Sequence, residues 1–258
     1  MLNDALKEEI QTAYSELLEQ QNFRPRQCQK TMIAEIARTL APVNDEPNRV
    51  CVVEAGTGTG KTIAYALASI PIARQLKKKI VVATATVALQ EQIVYQDLPA
   101  IRLHSGLDFS FALAKGRRRY LCLSRLDLAL QESGVTSQSF SLFNDDTAGG
   151  DYDDLYQEMI DRLGRGEWDG DMDNWPDEID SSAWSRVTTD HVQCTQRQCS
   201  HYDNCYFYRA REHIHRVDCI ITNQDLVLAD LMMGGGAVLP APEDVIYIFD
   251  ECHHLPEK

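Results

Sequence analysis

An apolar run, a glycine-rich loop and the first turn of a helix follow one another between Val50 and Thr62, and no other feature constrains the chain as much. Val50-Cys51-Val52-Val53-Glu54 is β-branched and apolar at consecutive positions, which predicts a strand covered on both faces of a parallel sheet. Ala55-Gly56-Thr57-Gly58-Thr59-Gly60-Lys61-Thr62 follows, and Lys61 to about Leu76 reads as a helix. Glycines at 58 and 60 let backbone N–H groups converge on a phosphate, and the helix N-terminus adds its dipole. The strict pattern G-x-x-x-x-G-K-[ST] fails at one residue, because Ala55 stands at the first glycine. The phosphate cradle survives that change. Lys61 is then placed to reach the β- and γ-phosphates of ATP, and the Thr62 hydroxyl to ligate Mg²⁺.

The surrounding texture predicts an α/β layer. Leu2, Leu6, Ile10, Ala13 and Leu17 recur at helical steps over residues 1–20, and a second helix is expected over Cys28 to Leu40. Pro42 to Asn48 is a turn-rich connector. Ile80 to Thr84 reads as a buried strand, followed by a helix to about Asp97 and a candidate strand over Phe109 to Leu113. Strand texture returns at Asp218 to Thr222 and at Val245 to Asp250, with Gly234-Gly235-Gly236 as a flexible turn between them. The intervening stretch holds all three tryptophans and an acidic run but little strand periodicity. The expected organisation is therefore a parallel α/β domain over residues 1–115, a mostly helical insertion over 116–212, and the domain resumed over 213–258.

Asp250-Glu251-Cys252-His253 closes the last apolar strand, some 190 residues after the loop. An aspartate there can hold Mg²⁺ through water, and the adjacent glutamate can orient and deprotonate an attacking water. Lys61, Asp250 and Glu251 are the candidate catalytic set, with His253 as a coupling residue.

The chain has 39 acidic and 25 basic side chains, a formal charge of −14. That sum speaks against a polyanionic partner until its distribution is considered. Fourteen acidic residues and two arginines lie between Asn144 and Asp180, so the remainder is close to neutral. It carries a basic segment, Lys115-Gly116-Arg117-Arg118-Arg119-Tyr120, whose cations can neutralise phosphates and whose tyrosine can stack a base. Trp168, Trp175 and Trp184 are expected to pack a small core. No run of 18 apolar residues exists, and residues 1–20 lack the apolar stretch of an export signal. A cytoplasmic, reducing location without membrane contact is expected, and with it metal-ligating rather than disulfide-bonded cysteines.

Cys122, Cys194, Cys199 and Cys205 are spaced C-x71-C-x4-C-x5-C. One ligand is isolated and three are bunched, which suits either structural zinc or an iron–sulfur cluster, and the residues alone leave both open, with free thiols as a lesser option. Cys28, Cys51, Cys219 and Cys252 need no role; Cys51 and Cys219 sit in expected strands and read as buried small hydrophobes.

Ala-x-x-Gly-x-Gly-Lys-Thr with Asp-Glu-x-His resembles the superfamily 2 helicases of the DExH type. Phe23-Arg24-Pro25-Arg26-Gln27-Cys28-Gln29 resembles the glutamine-containing motif upstream of their phosphate loop, which implies that Gln29 contacts adenine with Arg26 nearby. Thr84-Ala85-Thr86 through Leu89 and Gln92 resembles the segment that touches a single strand; taken alone, Thr84 and Thr86 suit a strand-end cap equally well. Lys115 through Cys122, with the four-cysteine layout, resembles the entry to the iron–sulfur domain of the XPD/DinG helicases. Asn223-Gln224-Asp225-Leu226 resembles their Asn-His-x-Leu segment but has Gln224 where histidine is usual, which leaves the role of that position open.

The resemblance implies a RecA-like domain interrupted by a domain carrying a [4Fe–4S] cluster on those four cysteines. It implies ATP, Mg²⁺ and single-stranded DNA as ligands, with DNA contacts at Thr84, Thr86, Lys115, Arg117, Arg119 and Tyr120. The expected activity is ATP-dependent DNA unwinding, 5′ to 3′, in repair or replication, by a monomer. A second RecA-like domain, which would complete the nucleotide cleft, has no room after Lys258, so the chain is expected to be the N-terminal part of a larger enzyme. Two rivals remain: a P-loop ATPase with structural zinc that acts on something other than nucleic acid, and a non-catalytic nucleic-acid-binding fragment.

Overall fold

The computed structural model describes residues 3–41, 49–136 and 152–257. In chain order the helices and strands are α1 (Asp4–Gln20), α2 (Gln27–Leu40), α3 (Lys61–Leu76), β1 (Lys79–Thr84), α4 (Val87–Gln92), α5 (Leu98–His104), β2 (Phe111–Leu113), α6 (Leu123–Thr136), α7 (Asp153–Arg165), α8 (Ser181–Val187), α9 (Tyr206–Ile214), β3 (Cys219–Asn223), α10 (Gln224–Met232) and β4 (Val245–Phe249). The chain divides into two compact units, Met1–Ala114 with His213–Lys258, and Lys115–Glu212.

The first unit is built on a four-stranded parallel sheet of order β2-β3-β1-β4. Alternation along the strands divides its faces. Ile80, Val82 and Ile221 join a core with α1, α2, α3 and α5, while Val81, Ala83 and Ile220 join Val227 of α10 on the other side. Helix α3 is buried at every position from Ala64 to Ala73, as a helix apolar all round must be. Asn3 starts α1 by accepting the N–H groups of Ala5 and Leu6, and Leu6, Ile10, Ala13 and Leu17 form its buried stripe, as their spacing predicts. Leu2, the connector from Pro42 to Asn48 and residues 144–151 of the acidic run lie outside the described residues.

Three expectations change. Residues 50–54 form no strand: Val50 and Val52 are 80% and 83% exposed, and Cys51, expected inside, faces outward. A strand of a parallel sheet is covered only when neighbours flank it, and this segment pairs with none of the four strands. The helical run after β1 continues beyond Asp97, through a π-helical turn at Ile93–Asp97, to His104. Gly234-Gly235-Gly236 is held rather than loose. All three glycines have positive φ, and the buried carboxylate of Asp230 accepts the N–H groups of Gly236 and Val238. Cys219 is buried as expected, and desolvation pushes its thiol well up.

The second unit has its own core of Leu121, Leu126, Tyr156, Met159 and the three tryptophans. The Trp168 ring lies edge-on to Trp175 and Trp184, with centroids 4.8 and 6.4 Å away. Its indole N–H donates to the Asp171 carbonyl and that of Trp184 to the Arg118 carbonyl, both at 2.7 Å. No helix among the described residues is long and apolar enough to cross a membrane.

Leu67→Ala, at a fully buried position of α3, should cost about 2–5 kcal/mol. Val52→Ala should stay within about 0.5 kcal/mol if its run is unpaired. Urea titration of this chain reads both, and a Val52 cost above 2 kcal/mol would restore the lost strand.

Candidate functional site

The glycine-rich loop is shaped by two left-handed glycines, Gly58 at φ 71° and Gly60 at φ 77°. Gly60 cannot be replaced without strain, because its φ lies in the left-handed region, and a Cβ there would also have to displace the end of the Gln29 side chain. That amide reaches the Gly60 carbonyl at 3.5 Å, while its oxygen accepts the Tyr14 hydroxyl at 3.1 Å. The Arg26 guanidinium donates to the Gly58 carbonyl, and the Thr59 hydroxyl to that of Gly56 at 2.9 Å. Arg26 and Gln29 thus grip the loop through its carbonyls, leaving its N–H groups as the anion-facing side.

The strands bring the carboxylate pair to this loop. Asp250 follows β4, its N–H donating to the Ala83 carbonyl at 2.9 Å, so the box starts level with the end of β1. Glu251 then adopts φ 54°, a left-handed conformation unusual for a residue with a side chain. Its Oε1 lies 2.5 Å from Lys61 Nζ, across 190 residues of sequence. The Lys61 ammonium holds the Glu251 carboxyl below its usual range, whereas burial pushes Asp250 up against the opposing pull of Lys61. His253 Nδ1 lies 3.4 Å from the other Glu251 oxygen.

Three residues here, Tyr65, Asp97 and Gln224, were not among the site residues read from the sequence. The Tyr65 hydroxyl donates to Asp250 Oδ2 at 3.5 Å; it stands four residues after Lys61, on the same helix face, which was the available clue. The Thr62 hydroxyl and the Gln92 amide both bond the Asp97 carboxylate, which burial pushes up. Gln224, fully buried, donates to the Asp250 and Glu251 carbonyls. An ammonium, a Thr hydroxyl, two adjoining carboxylates and a glycine-rich loop form a donor set suited to a polyphosphate with a divalent cation.

Thr84 is fully buried, and its hydroxyl donates to the Thr86 carbonyl at 3.1 Å. Thr86 caps α4, accepting the Leu89 N–H at 3.3 Å. Of the two, only Thr86 faces outward.

In the second unit, Cys122, Cys194, Cys199 and Cys205 line one pocket together with Arg117, Phe207 and Tyr208. None is disulfide-bonded, and burial and the nearby Cys205 and Cys199 push the Cys122 thiol up. Among the described residues no three potential ligands converge tightly enough for a single ion. Four thiols around a shared pocket nonetheless match in kind the donors of an iron–sulfur group, whose metals are spread over a cluster.

The basic segment is paired within its own unit. Lys115, its side chain 10% exposed, is paired with Asp171 and, at 2.8 Å, with Asp173. Arg119 also pairs with Asp173, and Arg118 with Asp190 at 3.1 Å. Arg117 lies over the Phe207 ring, 4.0 Å from its centroid, and donates to Cys194 Sγ at 3.0 Å. Tyr120, expected to stack a base, is 8% exposed, edge-on to Phe207. Of the expected phosphate donors, Lys115 and Arg119 are thus paired with carboxylates of the acidic run and Arg117 with Phe207 and Cys194, while the Arg119 side chain stays partly exposed.

Residues 26–126 match the family described as DEAD/DEAH box helicase. The chain's likeness to individual proteins extends further. It is 42% identical to a Photobacterium profundum protein named ATP-dependent DNA helicase DinG, over 100% of this chain and 37% of that protein. It is 40% and 38% identical to proteins of that name from Salmonella typhimurium and Escherichia coli, in each case over 99% of this chain and 35% of the relative. The chain thus spans little more than a third of the length of these relatives.

Lys115→Met should cost about 3–5 kcal/mol, since it leaves the largely buried Asp171 carboxylate without its paired cation. Arg118→Ala, at a side chain 74% exposed, should cost no more than about 1 kcal/mol. Thermal unfolding of the two variants side by side checks the ranking; equal losses would make the Lys115 cluster an ordinary surface network.

Proposed function

We propose that this chain is the ATP-binding part of an ATP-dependent DNA helicase that couples hydrolysis to 5′-to-3′ movement along single-stranded DNA in repair or replication. The observation that carries the reading is the 2.5 Å approach of Lys61 and Glu251 beside Asp250 at the mouth of the glycine-rich loop. In this reading Ala55 to Thr62 cradle the phosphates, Lys61 neutralises the β- and γ-phosphates, and Thr62 and Asp250 hold Mg²⁺. Glu251 activates the attacking water. Arg26 and Gln29 stand at the adenine side. The remainder of the protein supplies a second RecA-like domain and the other wall of the cleft. Residues 1–115 and 213–258 form the RecA-like domain, and 116–212 an iron–sulfur domain.

Cys122, Cys194, Cys199 and Cys205 would hold the [4Fe–4S] cluster, which ties one cysteine to three that follow it by seventy-two or more residues. Closing so long a loop carries an entropic cost that metal–thiolate bonds offset. Among the residues considered for DNA, exposed Thr86 is the one best placed for a strand, while Thr84 and Tyr120 serve packing.

Lys61→Ala should abolish Mg·ATP binding by calorimetry with the fold intact. Glu251→Gln should retain binding and lose about 10²–10⁴-fold in single-strand-stimulated hydrolysis by the full-length protein. Hydrolysis indifferent to single-stranded DNA in the unmodified protein would end the helicase reading.

Anaerobically purified protein should contain iron and sulfide. Cys199→Ser should lose the iron and expose residues 120–210 to protease, yet keep ATP binding. Stoichiometric zinc in place of iron would assign the cysteines to the rival site.

A further inference from the structure

Position 224 departs from the pattern that its neighbours follow, and its side chain is wholly inaccessible to solvent. Asn223 ends β3 and caps α10 by accepting the Leu226 N–H at 2.8 Å, so Gln224 is the first residue of that helix. Thr84 is in register with Asn223, and Ala83 with Phe249. The end of β3 therefore stands one strand away from β1 and two from β4, level with the carboxylate box.

From there the Gln224 amide crosses to the box. Nε2 donates to the Asp250 carbonyl at 2.9 Å and to the Glu251 carbonyl at 3.3 Å. An amide carries two N–H donors, and two carbonyls receive them. The opposite rotamer of the amide would set its oxygen against two carbonyl oxygens, so the orientation is fixed by charge. The other end of the group, Oε1, is buried without a hydrogen-bond partner among the described residues. A buried unpaired acceptor is costly, and the side chain tolerates it while its donors are both engaged. Among the described residues, the grip on the two carbonyls is thus the only polar work this side chain does.

What it grips is a strained turn. Glu251 holds φ 54°, a conformation that persists in a residue with a Cβ only where the surroundings impose it. Its N–H is fixed by its neighbour's carboxylate, Asp250 Oδ1 at 3.0 Å. Its carbonyl receives Gln224 and the His254 N–H at 3.1 Å. Release of the carbonyl side would let residue 251 relax toward an ordinary backbone and swing its carboxylate away from Lys61.

We propose that Gln224 is a positioning residue for the water-activating carboxylate, holding the Asp250 and Glu251 carbonyls so that the left-handed turn directs Glu251 into the nucleotide site. This rests on the role given above to Glu251. Gln224 touches neither nucleotide nor water; it acts through the backbone of the box.

The test uses the full-length protein with Gln224→Met, which keeps length and apolar bulk but has no donor, and Gln224→His, which keeps one N–H. The Met variant should bind a non-hydrolysable Mg·ATP analogue within about twofold of the unmodified protein. Its single-strand-stimulated kcat should fall about 10–100-fold with KM little changed, the scale of a reacting group displaced by about 1 Å. The His variant should recover most of that loss. Undiminished kcat in the Met variant overturns the proposal, as does a loss of kcat matched by equal losses of analogue affinity and melting temperature, which is the mark of packing alone. Failure of His to recover activity beyond Met overturns it too. Glu251→Gln in parallel separates the two levels: if it hydrolyses ATP normally, the role of the box itself is wrong, whereas an inactive Glu251→Gln beside a fully active Gln224→Met removes only Gln224.

Discussion

The parallel pairing of β1 with β3 on one side and β4 on the other is the constraint from which the site follows. Thr84, Asn223 and Asp250 come level at one edge of the sheet, although they are far apart in the chain. Such pairing is entropically expensive, because the connections before β3 and β4 are long. It is driven by burial: Val81, Val82 and Ala83 of the middle strand are all inaccessible, with apolar cores on both faces. The polar residues that end each strand then have no choice of neighbours. Thr84 turns back on Thr86, Gln224 reaches the box, and Glu251 meets Lys61.

Much of this was legible in local patterns. Helix α3 runs over the residues its glycine entry and apolar length predict, and β1, β3 and β4 fall within a residue of the β-branched runs. The failures have a common cause. The 50–54 run satisfies every local rule for a strand, yet a strand is a relation between segments, and this one finds no partner. The π-helical turn that carries Asp97 beside Thr62 reflects how the helix packs, which periodicity cannot express. Gln224 was visible as a departure from a pattern, but its two acceptors lie 26 and 27 residues away and are backbone atoms, which carry no letter in a sequence.

The second unit shows how charge counting misleads. Read along the chain, Lys115 to Arg119 is a basic segment and the acidic run a separate block. In space Asp171 and Asp173 sit on Lys115, Asp173 also on Arg119, and Asp190 on Arg118. The antiparallel bridge from Tyr120 to Asp171 brings the two blocks together, and the Leu121 N–H strengthens it by donating to the Gly170 carbonyl at 2.8 Å. Positive and negative blocks that neutralise each other inside a unit say little about polyanionic partners. The aromatic residues nearby follow the same logic, since Phe207 takes both the Tyr120 edge and the Arg117 cation.

Two lysines are thus held by carboxylates distant in sequence, and the differences between them separate a candidate working site from a brace. Lys115 is almost wholly enclosed, meets two carboxylates, and sits beside ordinary turns whose N–H groups are satisfied by Asp169 and Asp171. Its ammonium is engaged by both carboxylates, and a ligand could reach it only by displacing them. Lys61 remains about a quarter exposed, as does its single carboxylate. That carboxylate hangs from a strained residue, and beside it lies a second carboxyl whose acidity burial has weakened. Strain, partial exposure and opposed acidities are costs that packing alone would not retain. Where the same ion-pair chemistry is bought without them, as at Lys115, the pair serves the fold.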